Sequence, residues 1–175
     1  MNVLKPNSLA FICCVFFALL VSSCSTSRET VSSRRIRSAE RDQLSRRLNM
    51  PLTGRENPAL IRESASWIGT PYRIGGNTRA GVDCSGFVWA VHRNVYGTSL
   101  PRTTEEMAKQ TRRVRKNRLR EGDLVFFRTQ RRSISHVGIY LGNGYFVHAS
   151  TNGGVMVNRL DERYYARRFV RGGRP

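Results

Sequence analysis

The sequence predicts an α+β domain in which helices come first and an antiparallel sheet of about five strands follows. Two observations carry this. Between residues 58 and 110, apolar residues recur at helical spacing behind clear helix-start signals; beyond residue 122 the pattern changes to short runs separated by turn residues. A third observation places the chemistry. The one cysteine of that region stands directly behind a helix-start residue, in Gly81-Val82-Asp83-Cys84-Ser85-Gly86-Phe87.

The chain opens with an apolar run of 13 residues, 9–21, preceded by Lys5. Such a run is short of the roughly 20 residues that span a bilayer and fits the apolar core of a signal peptide. Val21-Ser22-Ser23-Cys24 follows and resembles the bacterial lipoprotein box, which implies a signal peptide over 1–23 and lipidation of Cys24. Ser25 behind that cysteine points to the outer rather than the inner membrane. Residues 24–57 are rich in Ser, Thr and Arg, and too poor in apolar residues for an independent core. They are expected to be a flexible tether, with room for a short amphipathic helix near 39–48.

Asn57 as cap and Pro58 at the first helical position open the folded domain, 58–175, with Leu60, Ile61, Ala65 and Ile68 as the apolar stripe of the first helix. Gly69-Thr70-Pro71 stops it. A glycine-bearing loop, Tyr72-Arg73-Ile74-Gly75-Gly76, leads to the Cys84 helix, which runs to Gly97 along Phe87, Val88, Val91 and Val95. Pro101-Arg102-Thr103-Thr104 starts another helix reaching about Gln110, and residues 112–120 read as a basic connector. Strands are expected over 123–127, 136–141, 145–149, 155–160 and 169–171.

The formal charge is +18, with 27 Arg against 3 Lys. An anionic partner follows from that balance: nucleic acid, anionic lipid or an acidic wall polymer. Zinc-finger spacing, a basic zipper and an aromatic RNA-binding motif are all absent, and an export signal argues against a nucleic-acid partner. No clustered Cys/His spacing calls for a metal, no cofactor is implied, and Cys84 has no cysteine within the domain to pair with. A monomer is expected.

Cys84 in the first turn of a helix meets unpaired N–H groups and the helix dipole, which favour a thiolate. Alone, that fits a reactive nucleophile and a small buried hydrophobe about equally. The histidines weigh in. His136 opens one strand and His148 closes the next, with Gly142-Asn143-Gly144 between them. A two-residue turn would put the rings on opposite faces. A three-residue loop, with Leu141 opposite Tyr145, puts Gly138 opposite His148 and both histidines on one face. It also gathers Val137, Ile139, Leu141, Tyr145, Val147 and Ala149 on the other, and this register is favoured. A thiolate, a histidine and a second polar group to orient it is the logic of nucleophilic catalysis. His92, eight residues into the Cys84 helix, is read as an ordinary structural or surface histidine.

In order and spacing, residues 58–171 resemble the NlpC-type family of bacterial cell-wall cysteine peptidases, and within it the small lipoprotein endopeptidases. The matching residues are Gly69-Thr70-Pro71-Tyr72-Arg73 with Gly75-Gly76, Asp83-Cys84-Ser85-Gly86-Phe87, Pro101-Arg102-Thr103, and Gly122-Asp123-Leu124-Val125-Phe126-Phe127. His136-Val137-Gly138-Ile139-Tyr140 and His148-Ala149-Ser150 complete the set. The resemblance implies a papain-like fold, Cys84 as nucleophile, His136 as general base and acid, and His148 as the orienting residue. It further implies that Tyr72 assists the oxyanion and that Asp83 and Ser85 line the substrate site. The implied substrate is the peptide part of peptidoglycan, with the D-γ-glutamyl–diamino-acid bond favoured and cross-bridges as the other choice. Ile74 departs from the pattern, since relatives usually carry Trp there. The rival readings are a papain-like amidase or acyltransferase on another substrate, and a non-catalytic wall-binding lipoprotein.

Overall fold

Asn57 does what its position promised. In the computed structural model, which describes residues 37–129 and 133–175, its Oδ1 accepts from the N–H groups of Ala59 and Leu60 at 3.0 and 3.3 Å. The helix it caps carries Pro58 at the start and buries Leu60, Ile61, Ala65 and Trp67. Trp67 takes the place in the stripe expected of Ile68, which lies at the C-cap and is only half-buried.

The helices are α1 (Ser38–Leu48), α2 (Pro58–Trp67), α3 (Cys84–Tyr96), α4 (Thr104–Gln110) and the short α5 (Arg163–Ala166). A two-stranded ribbon, β1 (Asn77–Thr78) with β2 (Gly81–Val82), precedes α3. The main sheet contains β3 (Arg112–Val114), β4 (Leu124–Phe127), β5 (His136–Gly142), β6 (Tyr145–Ser150), β7 (Gly154–Arg159) and β8 (Phe169–Arg174), in the order β3-β8-β4-β5-β6-β7. All its pairings are antiparallel. The α+β class holds, with six strands rather than five. The extra one is β3, from the stretch read as a basic connector: Val114 is buried while Arg112 and Arg113 stay exposed, a single buried side chain being too little for a period-2 signal.

The β5–β6 hairpin keeps the expected register by a different route. Ile139 pairs with Val147 and Tyr140 with Phe146, which continues to Gly138 across from His148. The turn then shifts so that Gly142, not Leu141, faces Tyr145, leaving two residues, Asn143 and Gly144, between the strands. A bulge at the strand end thus supplies the offset expected of a longer loop, and Asn143 and both glycines adopt positive φ there. Gly138 has to be glycine: a Cβ would lie 2.7 Å from the Val147 carbonyl oxygen.

Both sheet faces are covered. Val137, Ile139, Leu141, Val147 and Ala149 are fully buried, and α3 packs against β5 and β6. The opposite face carries a second cluster of Val125, Phe127, Phe146, Leu160 and Tyr165. Tyr165 comes from α5, so the face holding the histidines is roofed by a helix that periodicity is too short to reveal.

The expected tether does not stay free over its described part. Residues 37–175 form one compact unit. Leu48 and Met50 are buried, Arg62 on α2 holds Glu40 on α1 through two bonds of 2.6 and 3.1 Å, and Arg47 Nη2 donates to the Ile68 carbonyl at 2.8 Å. A low apolar content rules out an independent core but not docking on a neighbour's. The signal-peptide and Cys24 assignments, and the tether before residue 37, lie outside the described residues.

Candidate active site

Three elements converge. The loop before α3 is stitched by Arg73 N–H to the Val82 carbonyl and Val82 N–H to the Pro71 carbonyl, both 3.0 Å, with Tyr72 bridged to Val82. This sets Tyr72 beside the start of α3. Burial raises its phenol pKa, and the neighbouring Cys84 and Asp83 push the same way. Ile74, on the same loop, is almost fully exposed.

Asp83 caps α3 as expected. Its Oδ1 accepts from Gly86 N–H at 2.6 Å and from Ser85 Oγ at 3.1 Å, and its Oδ2 accepts from Gly75 N–H at 2.9 Å. Arg102 completes the arrangement. It donates to both carboxylate oxygens at 2.9 Å, to Ser85 Oγ at 3.0 Å and to the Gly76 carbonyl at 2.8 Å. Burial works against the Asp83 charge, yet the Arg102 guanidinium and the Gly86 N–H hold its carboxyl below the ordinary range. Gly86 has no room for a side chain, because a Cβ would overlap the Gly76 carbonyl oxygen and crowd Arg102 at 2.8 Å. Arg102 belongs to the Pro101-Arg102-Thr103 motif, but its 19-residue separation from Asp83 hid their ion pair.

Cys84 is the first residue of α3 and is buried. Its Sγ lies 3.6 Å from Thr104 Oγ1 at the start of α4, and the Val137 and Ser85 backbone N–H groups also favour its thiolate. Burial outweighs them, and with the nearby Asp83 it pushes the thiol pKa up. A resting thiolate, expected from the helix start, is therefore overturned by desolvation. Val137 is the chain neighbour of His136, so the same contact brings the His136 end of β5 to the thiol.

His136 and His148 are in direct contact, with Nε2 of the first 2.9 Å from Nδ1 of the second. His148 Nε2 lies 2.9 Å from Asn158 Oδ1 on β7 and 3.1 Å from the Tyr165 hydroxyl on α5. Asn158 Nδ2 donates to Glu162 Oε2 at 2.9 Å, which turns its Oδ1 toward the ring. The tautomers follow from these partners. His148 carries its proton on Nε2, given to Asn158; its Nδ1 accepts from His136 Nε2–H; His136 Nδ1 is left as a lone-pair base. Burial lowers the His136 pKa to about 3, with His148 adding to it, and burial lowers that of His148 to about 4. The resting set is a neutral thiol with neutral imidazoles. A cavity of about 320 Å³ opens beside the two rings, lined also by Thr129, Ser150, Asn152 and Tyr164.

The remaining histidine, His92, is buried at the far part of α3, its pKa lowered to about 4 by burial. The Gly122 carbonyl is near enough to oppose that shift, but neither ring nitrogen reaches hydrogen-bonding geometry with it. Thr104, Asn158, Glu162 and Tyr165 were not singled out from the sequence, since each meets the site only through tertiary packing. Among the described residues there is no group of three or more His, Cys, Asp or Glu able to hold a metal, and no helix long and apolar enough to cross a membrane.

Comparison with known proteins places these residues in context. The family model described as NlpC/P60 matches residues 69–174. A probable endopeptidase NlpC homolog of Haemophilus influenzae is 37% identical over 174 residues, covering 90% of this chain and 93% of that protein. The murein DD-endopeptidase MepS/murein LD-carboxypeptidase of Escherichia coli is 44% identical over 110 residues, 63% of this chain and 58% of that one. Among solved structures, an NlpC/P60 family protein from Bacillus cereus superposes with a TM-score of 0.62 at 29% identity, over 68% of this chain and 40% of its own.

Proposed function

This chain belongs to the NlpC/P60 family, and on that premise we propose that it is a cysteine peptidase hydrolysing the peptide part of peptidoglycan in the bacterial envelope. The observation that carries the reading is the hydrogen-bonded series His136–His148–Asn158–Glu162, whose His136 end adjoins Val137, the residue whose backbone N–H reaches the Cys84 thiol.

Cys84 Sγ attacks the scissile carbonyl carbon while its proton passes to His136 Nδ1, so the thiolate forms only as the bond is made. The new negative charge on oxygen meets the Cys84 backbone N–H at the helix start and the Tyr72 hydroxyl. His136 gives its proton to the leaving amine, then activates the water that releases the acyl-enzyme. His148 accepts from His136 Nε2–H throughout and stabilises the transient imidazolium. Asp83 and Ser85, held by Arg102, fix the loop that borders the substrate. No cofactor takes part.

For the bond cut, the relative named as a murein DD-endopeptidase and LD-carboxypeptidase keeps D–D cross-links and L–D bonds beside the D-γ-glutamyl–diamino-acid bond. Digesting purified peptidoglycan and weighing the released fragments decides this. New termini that vanish with Cys84→Ala support the reading, and intact fragments with the unaltered protein overturn it. Residues 1–23 serve as a lipoprotein signal peptide, and Cys24 carries the lipid that anchors the protein on the periplasmic side of the outer membrane. Fractionation of Cys24→Ala at high salt, which screens electrostatic adhesion, tests the anchor; retention in the membrane fraction under that condition counts against it. The domain works as a monomer.

A further inference from the structure

Residues 112–120 carry six cations in nine positions and no acid. A flexible basic run of that kind is ordinarily a solvated surface. Here the run is built into the fold. Arg112, Arg113 and Val114 pair with Arg174, Gly173 and Gly172 on β8, Val114 is buried, and Leu119 packs on the second core cluster. Between them, Arg118 N–H closes a tight turn on the Arg115 carbonyl at 2.9 Å.

That scaffold encloses a groove of about 660 Å³ with Arg112, Arg113, Arg115, Arg118, Arg120 and Arg174 around it. Arg174 is committed to buried Asp123 through bonds of 2.7 and 2.6 Å. The other five are exposed, and none is ion-paired with an acidic side chain among the described residues. Holding like charges together costs free energy that no internal partner repays, and planar guanidinium forks match phosphate oxygens two at a time.

We propose that this arginine groove docks the domain on the phosphate headgroups of an anionic bilayer. The proposal goes beyond the catalytic reading and rests only on its placement of the chain in the envelope. Sheet order supports a bilayer over the wall itself. β3 is the edge strand, while His136 on β5 and His148 on β6 lie three and four strands away, about 14–19 Å at ordinary strand spacing. The edge can therefore rest on a lipid surface without blocking the cleft.

Residues 37–175, which form one compact unit and exclude Cys24, are the form to test. They are sedimented with phosphatidylcholine vesicles with and without phosphatidylglycerol. Binding is expected only with phosphatidylglycerol, weakening as salt rises. Arg113→Gln/Arg115→Gln/Arg118→Gln should lower the vesicle affinity about tenfold or more, and Arg46→Gln/Arg55→Gln/Arg93→Gln, which removes equal charge elsewhere on the surface, less than threefold. Equal losses in the two variants, binding to phosphatidylcholine alone, or tighter capture by RNA than by the anionic vesicles would each overturn the proposal. The assay needs no turnover, so its result is separate from peptidase activity, which both variants should retain on a soluble stem peptide.

Discussion

His148 is bonded on both ring nitrogens, and the partner on the far side decides what the near side can do. Asn158 Oδ1 accepts from Nε2–H, which leaves Nδ1 to accept from His136. Replacing Asn158 by Leu removes that acceptor and lets His148 adopt the wrong tautomer. Turnover on a stem peptide should fall roughly tenfold or more, mainly in kcat. Asn158→Asp keeps an acceptor for Nε2–H but gives up the bond to Glu162, so at neutral pH it should retain more turnover than the leucine variant. If both variants lose activity equally, with the fold verified, Asn158 is only a packing residue. The histidines themselves should separate by role. His136→Asn should remove essentially all turnover, because nothing else can take and return the proton, whereas His148→Asn keeps an amide oxygen to accept from His136 and should retain a measurable part; single-turnover rates compare them. Cys84 and His136 were legible because each opens an element that sequence marks, and His148 because strand alternation puts it on the face that carries His136. Asn158 and Tyr165 were not, because strand pairing and the packing of a four-residue helix bring them there.

Helix α1 shows how far composition can mislead at the level of an element. Its mean character is polar, and only Leu48 of its eleven residues is buried, so the stretch reads as tether. Yet that leucine, with Met50 just beyond, sits under the domain while Arg62 and Arg47 tie the helix to α2. Leu48→Ala should therefore cost about 2–3 kcal/mol and lower the melting temperature by roughly 5–10 °C. Exposed Arg46→Ala should change it little. Thermal unfolding of the two variants checks this, and no difference between them would return the segment to the role of a tether. By contrast α2, α3 and α4 were readable because Asn57, Asp83 and Thr103 are all capping residues whose side chains accept from the turn that follows. β3 was hidden for the same reason as α1: one buried side chain among arginines carries no period.

At the scale of the whole molecule, the three histidines impose a common dependence on pH. The ordinary value is 6.5, while His92 and His148 are held near 4 and His136 near 3 in the fold. Above about pH 6.5 every ring is neutral in both folded and unfolded chains, and none costs stability. Below it, the unfolded rings take protons that the folded rings refuse until about pH 4 or 3, so stability falls as pH falls through that window. At pH 5 the loss is about 2 kcal/mol per ring, or about 6 for three, against the 5–15 kcal/mol that typically holds a domain together. His136 is still a neutral base at that pH in the folded protein, so its own titration does not remove activity there. Activity lost between pH 6.5 and 4 should therefore track the unfolded fraction measured by circular dichroism at each pH, and return when the sample is brought back to neutrality. His92→Gln offers a separate handle, because it replaces one of the three rings outside the active site with a group that does not titrate. Its unfolding free energy should fall less steeply below pH 6.5, by about a third of the slope. An unchanged slope, or activity that vanishes near pH 5 while the circular dichroism signal stays native, would mean that these rings are not the groups governing the acid side.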